Sequence, residues 1–212
     1  MFKKVILLYY ILIIQNVSSF TMNDNLIFYI IDIDLQLFSD HSLVYQKSLG
    51  KSYQAKRVIV CFDFGRSYYR NDLLDSYKAN RKKPTDPETV EKFDKFFSCL
   101  NSIPDQIPFE NYKFRGVEAD DIIAAITQSK ALEDWHKVIL SNDKDFMQLC
   151  DEKTILCRPA KKPWEVLNTN RIVEDLNVHP INMALARAIV GDKSDNIGGI
   201  NGVGYKTLSK SF

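Results

Sequence analysis

The chain has 212 residues, 45% of them hydrophobic and 26% charged, with a net charge of +1. These are globular values that allow one buried core with an appendage, and they exclude an overall basic field that would announce a nucleic-acid partner, so charge has to be read locally. Cys61, Cys99, Cys150 and Cys157 form no Cys-x-x-Cys pair and have no accompanying histidine spacing, which argues against zinc and against a disulfide framework.

Residues 1–21 stand apart. Lys3 and Lys4 precede an apolar run from Val5 to Ile14 and then small polar residues, the layout of a secretory signal peptide; the run is too short to span a bilayer comfortably. A translation start at Met22, or the front half of an organelle-targeting sequence, accounts for the same segment.

Three continuous apolar runs follow, "NLIFYIID" (25–32), "RVIVCFD" (57–63) and "KVILSND" (137–143), each of the kind a buried parallel strand shows. Each ends in an aspartate: Asp32, Asp63 and Asp143. Cys61 falls inside the second run as plain core. Helical patterns are expected at 40–54, at 87–100 and at 118–133. The second follows Asp86 and Pro87 as start signals and has an apolar face of Val90, Phe93, Phe96, Phe97 and Leu100. Beyond 160 the sequence predicts two helices, one capped by Asn168 or Thr169 and one opened by Pro180, then a glycine-rich turn and a short helix. The linker-like stretch is 82–87. Alternating strands and helices predict a doubly wound α/β sheet, whose ligands bind at the carboxyl ends of the strands.

The helix predicted at 118 opens with "GVEADD". One acidic residue there suffices as a cap, and Glu118 could serve alone. Three crowded carboxylates raise one another's pKa unless a cation lies between them. With Asp143, Asp145, Asp192 and Asp195, and the strand-end aspartates, they form a hard-oxygen set suited to Mg²⁺ or Mn²⁺, and large enough for two ions. On an ideal helix Glu118 and Asp121 lie about 60° apart with Asp120 pointing elsewhere, so these residues are expected to divide between two ions.

Taken together, "CFDFGRSYYRNDLLDSYKANRKK", "GVEADD", "SNDKDF" and "GDKSDNIGGINGVGYK" resemble the 5′-nuclease family: bacteriophage 5′-exonucleases, the 5′-nuclease domain of bacterial DNA polymerase I and flap endonucleases. The resemblance covers residues 25–212. It implies a PIN-like (resolvase-like) α/β catalytic domain over 22–165 with a helical arch, followed over 166–212 by a helical segment carrying a helix–three-turn–helix (helix-hairpin-helix) motif. In the family several more helices follow this motif.

The resemblance also implies roles. Asp63, Glu118, Asp120, Asp121, Asp143, Asp145, Asp192 and Asp195 match metal ligands. Asp32 matches by position, although "DIDLQ" departs from the family's Gly-x-Asn, and either Asp32 or Asp34 is the first ligand. Tyr77 matches an aromatic that stacks on a terminal base, Lys78 the lysine approaching the scissile phosphate, and Arg81 a basic residue beside it. A solvated helix end is the plain alternative for Tyr77 and Lys78. Lys82 and Lys83 belong with the arch or its base, and Arg187 with a basic position facing the substrate. Gly202, Gly204, Lys206 and Lys210 match the hairpin that holds a duplex phosphate, where K⁺ often bridges loop and DNA.

The implied activity is Mg²⁺-dependent (or Mn²⁺-dependent) 5′-3′ exonuclease or 5′-flap endonuclease hydrolysis in DNA replication or repair. Substrates would be DNA 5′ ends or flaps and RNA–DNA hybrids, handled by a monomer with no membrane partner for the mature domain. Its place would be with DNA, in a cytoplasm or nucleoid or in an organelle. A haloacid-dehalogenase-like phosphatase with Asp32 as nucleophile and Asp34 as acid is the rival enzyme reading, a PIN-like single-strand RNA nuclease a nearer one, and an inactive truncated nuclease that binds branched DNA the non-enzymatic one.

Overall fold

The computed structural model describes residues 27–33, 57–80, 85–102, 104–105, 110–158 and 165–208, with the backbone alone given for 27–33 and for residues 96, 97, 99 and 100. The expected leader and the expected helix at 40–54 lie outside the described residues.

The apolar runs form strands because neighbours on both sides saturate their backbone groups, and Ile59–Phe62 of the second run and Val138–Leu140 of the third are buried in the core. β1 (Ile27–Ile33), β2 (Arg57–Phe62) and β4 (His136–Leu140) lie side by side and parallel, with β1 between the other two. Asp32 registers with Cys61, and Ile31 with Leu140, so the three strands end level with one another. The described sheet has the order β3-β2-β1-β4-β5-β6, completed by β3 (Glu110–Lys113), β5 (Thr154–Arg158) and β6 (Glu165–Leu167). Every pairing is parallel except β5 with β6. From β1 the chain winds outward to β2 and β3, then returns to β4 and β5 on the other side. That reversal opens a crevice at the carboxyl ends of β1, β2 and β4.

Two helices follow β2: the short α1 (Tyr68–Leu73), capped by buried Ser67, and the longer α2 (Pro87–Ser102). Asp86 accepts from both the amide and the hydroxyl of Thr89, which fixes the start of α2 as expected. On its expected apolar face Val90 and Phe93 are each more than a third exposed, less buried than the periodicity predicts for them.

The helix expected over 118–133 divides. α3 (Ala119–Thr127) ends where the Thr127 hydroxyl bonds back to the Ile123 and Ala124 carbonyls, and Ser129 then caps a separate 3-10 turn at Lys130–Leu132. Another 3-10 turn, Lys144–Leu149, follows β4. α4 (Thr169–Leu176) is capped by Asn168, a 3-10 turn at Pro180–Asn182 leads into α5 (Met183–Val190), and α6 (Tyr205–Leu208) follows. Ile123, Ile139, Leu156, Ile172, Met183, Ala186 and Leu208 share one core. At about 25 cal/mol per Å² of buried apolar surface, that core fixes α5 and the loop behind it against the sheet. Among the described residues no helix is long and apolar enough to cross a membrane.

Candidate active site

Asp63 emerges directly after β2, and its Oδ1 accepts the Ala119 amide at 2.7 Å. The first amide of α3 is therefore capped from a neighbouring strand. Glu118 stands in the N-cap position but makes no side-chain cap, contrary to the simplest expectation for it. Its carboxylate is buried and accepts instead from Lys78 Nζ at 2.9 Å and from the Tyr77 hydroxyl at 3.1 Å, with Arg70 Nη1 3.4 Å away.

Asp120 and Asp121 leave the start of α3 in different surroundings. Burial, followed by the negative charges of Asp143, Asp63 and Glu118, pushes the Asp120 carboxyl up to about 7. Asp121 accepts a fork of two bonds from Arg70, at 2.6 and 2.8 Å, which holds its carboxyl below the usual range. The ideal-helix spacing expected between Glu118 and Asp121 does not apply. Glu118 is extended, at φ −79° and ψ 150°, so helical spacing does not govern it. Asp120 is the member that faces the strand-end carboxylates.

The loop after β4 is fastened at several points. Ser141 Oγ accepts the Asp143 amide, Asp143 Oδ1 accepts the Asp145 amide, and Arg158, buried on β5, donates to the Asn142 carbonyl at 3.0 Å while pairing with Glu165. Burial raises the Asp143 carboxyl; Arg187 opposes the shift, and Asp195 and Asp192 add to it. Arg187 on α5 forms ion pairs with both Asp145 and Asp192. Ser194 donates through its amide and hydroxyl to Asp192 Oδ1, which outweighs burial and keeps that carboxyl low.

The 192–196 loop is itself held by close backbone packing. A Cβ on Gly199 would stand 2.1 Å from the Val190 carbonyl oxygen, and one on Gly191, at φ +81°, 2.4 Å from the Gly199 nitrogen. This loop grips the segment that carries Tyr77 and Lys78. The Lys78 amide donates to the Asp195 carbonyl at 3.1 Å, Asn196 Nδ2 to the Ser76 carbonyl, and Asn80 Nδ2 to the Lys193 carbonyl. Lys78 adopts φ +55°, a conformation that costs a non-glycine residue about 1 kcal/mol or more and persists where surrounding bonds enforce it. Burial alone would lower its pKa, but hydrogen bonds to Tyr77 and Glu118 hold the ammonium charged. Tyr77 and Lys78 are half-buried parts of this arrangement, which removes the solvated helix end as an explanation for them.

Tyr77, Asp120, Asp121, Asp145, Asp192 and Asp195 line one groove of about 640 Å³ between α3 and α5. Asp63 and Asp143 adjoin it through Asp120. Gly202, Gly204 and Lys206 do not line it; the glycines lie at the turn into α6 and Lys206 in α6 itself. Asp32 is placed by its backbone alone, level with Cys61. Asp34, Arg81, Lys82, Lys83 and Lys210 lie outside the described residues.

Carboxylate oxygens are the donors that Mg²⁺ and Mn²⁺ prefer, and mutual repulsion around Asp120 is what a divalent cation relieves, so the donor chemistry fits such an ion. As they stand, no three acidic, histidine or cysteine side chains among the described residues are gathered to hold one. Lys78, Arg70 and Arg187 take the place of counter-ions at Glu118, Asp121 and the Asp145–Asp192 pair.

Sequence reasoning missed Arg70, Arg158, Asn80 and Asn196. Each acts through a partner 16 or more positions away, at separations of 51, 16, 113 and 120 residues respectively. No local pattern marks them.

A family profile described as "5'-3' exonuclease, N-terminal resolvase-like domain" matches residues 41–177. The 5'-3' exonuclease of Bacillus subtilis strain 168 is 32% identical over 162 residues, 76% of this chain and 53% of that protein. DNA polymerase I of Streptococcus pneumoniae R6 is 30% identical over 156 residues, 73% of this chain and 17% of that protein. The chain thus spans about half the length of the stand-alone exonuclease and under a fifth of the polymerase. Among solved structures, the bacteriophage T5 D15 protein co-crystallized with metal ions superposes with a TM-score of 0.70 at 26% identity, covering 87% of this chain and 73% of that one. The T5 D15 flap endonuclease in a pseudo-enzyme–product complex with DNA and metal ions gives 0.71 at 25% identity, with the same coverage of both chains. These matches do not favour the phosphatase or the inactive-relic reading. With residues 41–177 matched by its profile, the chain belongs to the resolvase-like 5'-3' exonuclease family.

Proposed function

We propose that this chain hydrolyses DNA phosphodiester bonds at free 5′ ends and 5′ flaps, using Mg²⁺, or Mn²⁺ in its place, held at the acidic edge of the sheet. The observation that carries the reading is that Asp120, Asp121, Asp145, Asp192 and Asp195, from separate parts of the chain, line one groove between α3 and α5 together with Tyr77, whose neighbour Lys78 pairs with Glu118. Asp63, Glu118, Asp120 and Asp143 would hold one ion, with Asp32, and Asp121, Asp145, Asp192 and Asp195 would serve a second. When bound, such ions supply an activated water and stabilise the leaving oxygen.

The chain's own side chains do the rest. Lys78 leaves Glu118 and donates to the scissile phosphate, offsetting charge that builds there in the transition state. Its conformation is already imposed by the Asp195 carbonyl, so little reorganisation of the backbone is required. Tyr77 offers a ring beside that phosphate to an unpaired terminal base. Arg70 orients Asp121, and Arg187 orients Asp145 and Asp192. Arg81 joins Lys78 at the phosphate, and Lys82 and Lys83 line the arch through which single-stranded 5′ ends pass.

Gly202, at φ +79°, and Gly204 both present open backbone, with no atom within 4 Å of a built Cβ. This supports a helix-hairpin-helix turn that receives a duplex phosphate, with Lys206 and Lys210 adding charge and K⁺ bridging loop and DNA. A monomer acting on DNA, and on RNA primers in hybrids, during replication or repair is the corresponding role.

The test uses the full chain, Mg²⁺ and a 5′-labelled flap substrate. Short labelled 5′ fragments are expected, with no turnover of a small phosphomonoester. Flap binding without cleavage, or phosphomonoester turnover through an aspartyl-phosphate, would overturn the reading.

A further inference from the structure

Beyond the groove, the carboxyl ends of β2 and β3 carry exposed rings interleaved with cations. Phe64, Tyr68 and Phe114 are 40%, 55% and 52% exposed, values at which aromatic side chains of a folded protein leave a large face in solvent. Phe64 and Tyr68 are joined through the backbone of Gly116, which follows Phe114 by two residues. The Gly116 amide donates to the Phe64 carbonyl at 2.9 Å, and the Tyr68 amide to the Gly116 carbonyl at 3.1 Å. Gly116 has φ +77°, and a Cβ there would meet the Tyr68 ring at 2.2 Å, so the ring lies flat on its backbone. Lys113 Nζ sits 4.6 Å from the centroid of the Phe64 ring, and Phe114 stacks on Tyr112 at 6.2 Å. Arg66 and Arg115, both exposed, extend from the same two loops and make no ion pair among the described residues.

Resting on the nuclease reading above, we propose that this surface is a track for the single-stranded 5′ arm of the substrate, separate from Tyr77. Exposed rings require unstacked bases, because a duplex buries its base faces and shows only phosphates and edges. Unpaired guanidinium groups between the rings match a phosphate chain, whereas an apolar protein partner would leave two arginines without counter-charge. The track starts immediately beside the acidic edge: Phe64 follows Asp63, and Gly116 precedes Glu118 by two residues. A strand stacked here presents its next phosphate to the carboxylates without crossing them.

The experiment is fluorescence anisotropy of the full chain with Ca²⁺, using a labelled duplex with a single-stranded 5′ arm and the same duplex with a blunt end. Tyr68→Ala/Phe114→Ala is expected to weaken arm binding at least about tenfold and to change blunt-duplex binding less than about twofold. Arg66→Glu/Arg115→Glu, wholly on the surface, is expected to do the same without touching the packing on Gly116, and with a shallower salt dependence of arm binding. Unchanged arm binding in the charge variant, or equal losses on both substrates, would overturn the proposal; so would competition by an unrelated peptide in place of the arm. Cleavage by the unmodified chain separates the two readings. If it cuts flaps while the variants bind the arm normally, only the track fails; if it neither binds nor cuts the arm, both fail.

Discussion

Lys78 Nζ lies 2.9 Å from Glu118 Oε1, while the Lys78 backbone amide is held by the Asp195 carbonyl at 3.1 Å. One residue therefore joins the start of α3 to the loop after α5, and its charge rests on a carboxylate that a divalent cation would claim.

Replacing that lysine should separate chemistry from binding. For Lys78→Ala, cleavage of a 5′ flap at saturating substrate is expected to fall about 10²- to 10³-fold. Affinity for the same flap with Ca²⁺ should stay within about threefold. An equal loss in affinity and turnover would instead make Lys78 a general contact to the substrate.

Asp120 makes a pH prediction with a definite sign. Its carboxyl is raised in the folded chain, to about 7, so its contribution to stability is complete below the ordinary carboxylate range and is lost as pH rises through about 7. Without divalent metal, the melting temperature should fall across that window. Asp120→Asn should flatten the fall and stabilise the metal-free chain at pH 8 by about 1 to 3 kcal/mol, while abolishing cleavage. Thermal melts in EDTA at several pH values check this.

Gly199 and Gly198 form a matched pair for testing the 192–196 loop. Gly199→Ala drives a methyl group into the Val190 carbonyl and the Gly191 nitrogen, both backbone, and is expected to cost about 1 to 3 kcal/mol and to reduce cleavage by displacing Asp192 and Asp195. Gly198→Ala meets nothing within 4 Å and should be near neutral. Denaturant melts together with flap cleavage read both effects.

Arg158 stabilises the loop of Asp143 from the neighbouring strand β5. Arg158→Leu leaves the Asn142 carbonyl and Glu165 without their donor, at a cost of about 2 to 4 kcal/mol. Arg158→Leu/Glu165→Leu should regain part of it. A double-mutant cycle by chemical denaturation gives the coupling directly.

The parts of this architecture that were legible in the sequence are those written in short-range pattern. Buried parallel strands need uninterrupted apolar runs, so β1, β2 and β4 declared themselves together with the aspartates at their ends. β3 did not: Glu110–Lys113 is polar and only partly buried at the sheet edge, and its neighbour β2 supplies what the sequence lacks. β6, with three residues, is too short for any period to show. The helix at 118 was found, but its end was not, because Thr127 and Ser129 turn the chain through side-chain bonds that periodicity does not register.

In the site, the acidic residues, Lys78 and Arg187 were legible as residue types, whereas Arg70 and the carboxylate partners of these cations were not. Arg70 and Arg187 acquire meaning only when folding brings Asp121 and Asp145 to them. The extended backbone of Glu118 likewise depends on Asp63 having taken over the cap.

Uptake of Mn²⁺, followed by loss of its free-ion electron paramagnetic resonance signal, tests the metal centre most directly. The account predicts that the unmodified chain takes up two ions and that Asp120→Asn takes up fewer and more weakly. A folded chain that leaves the Mn²⁺ signal unchanged, or an Asp120→Asn chain that takes up ions as the unmodified one does, would contradict it.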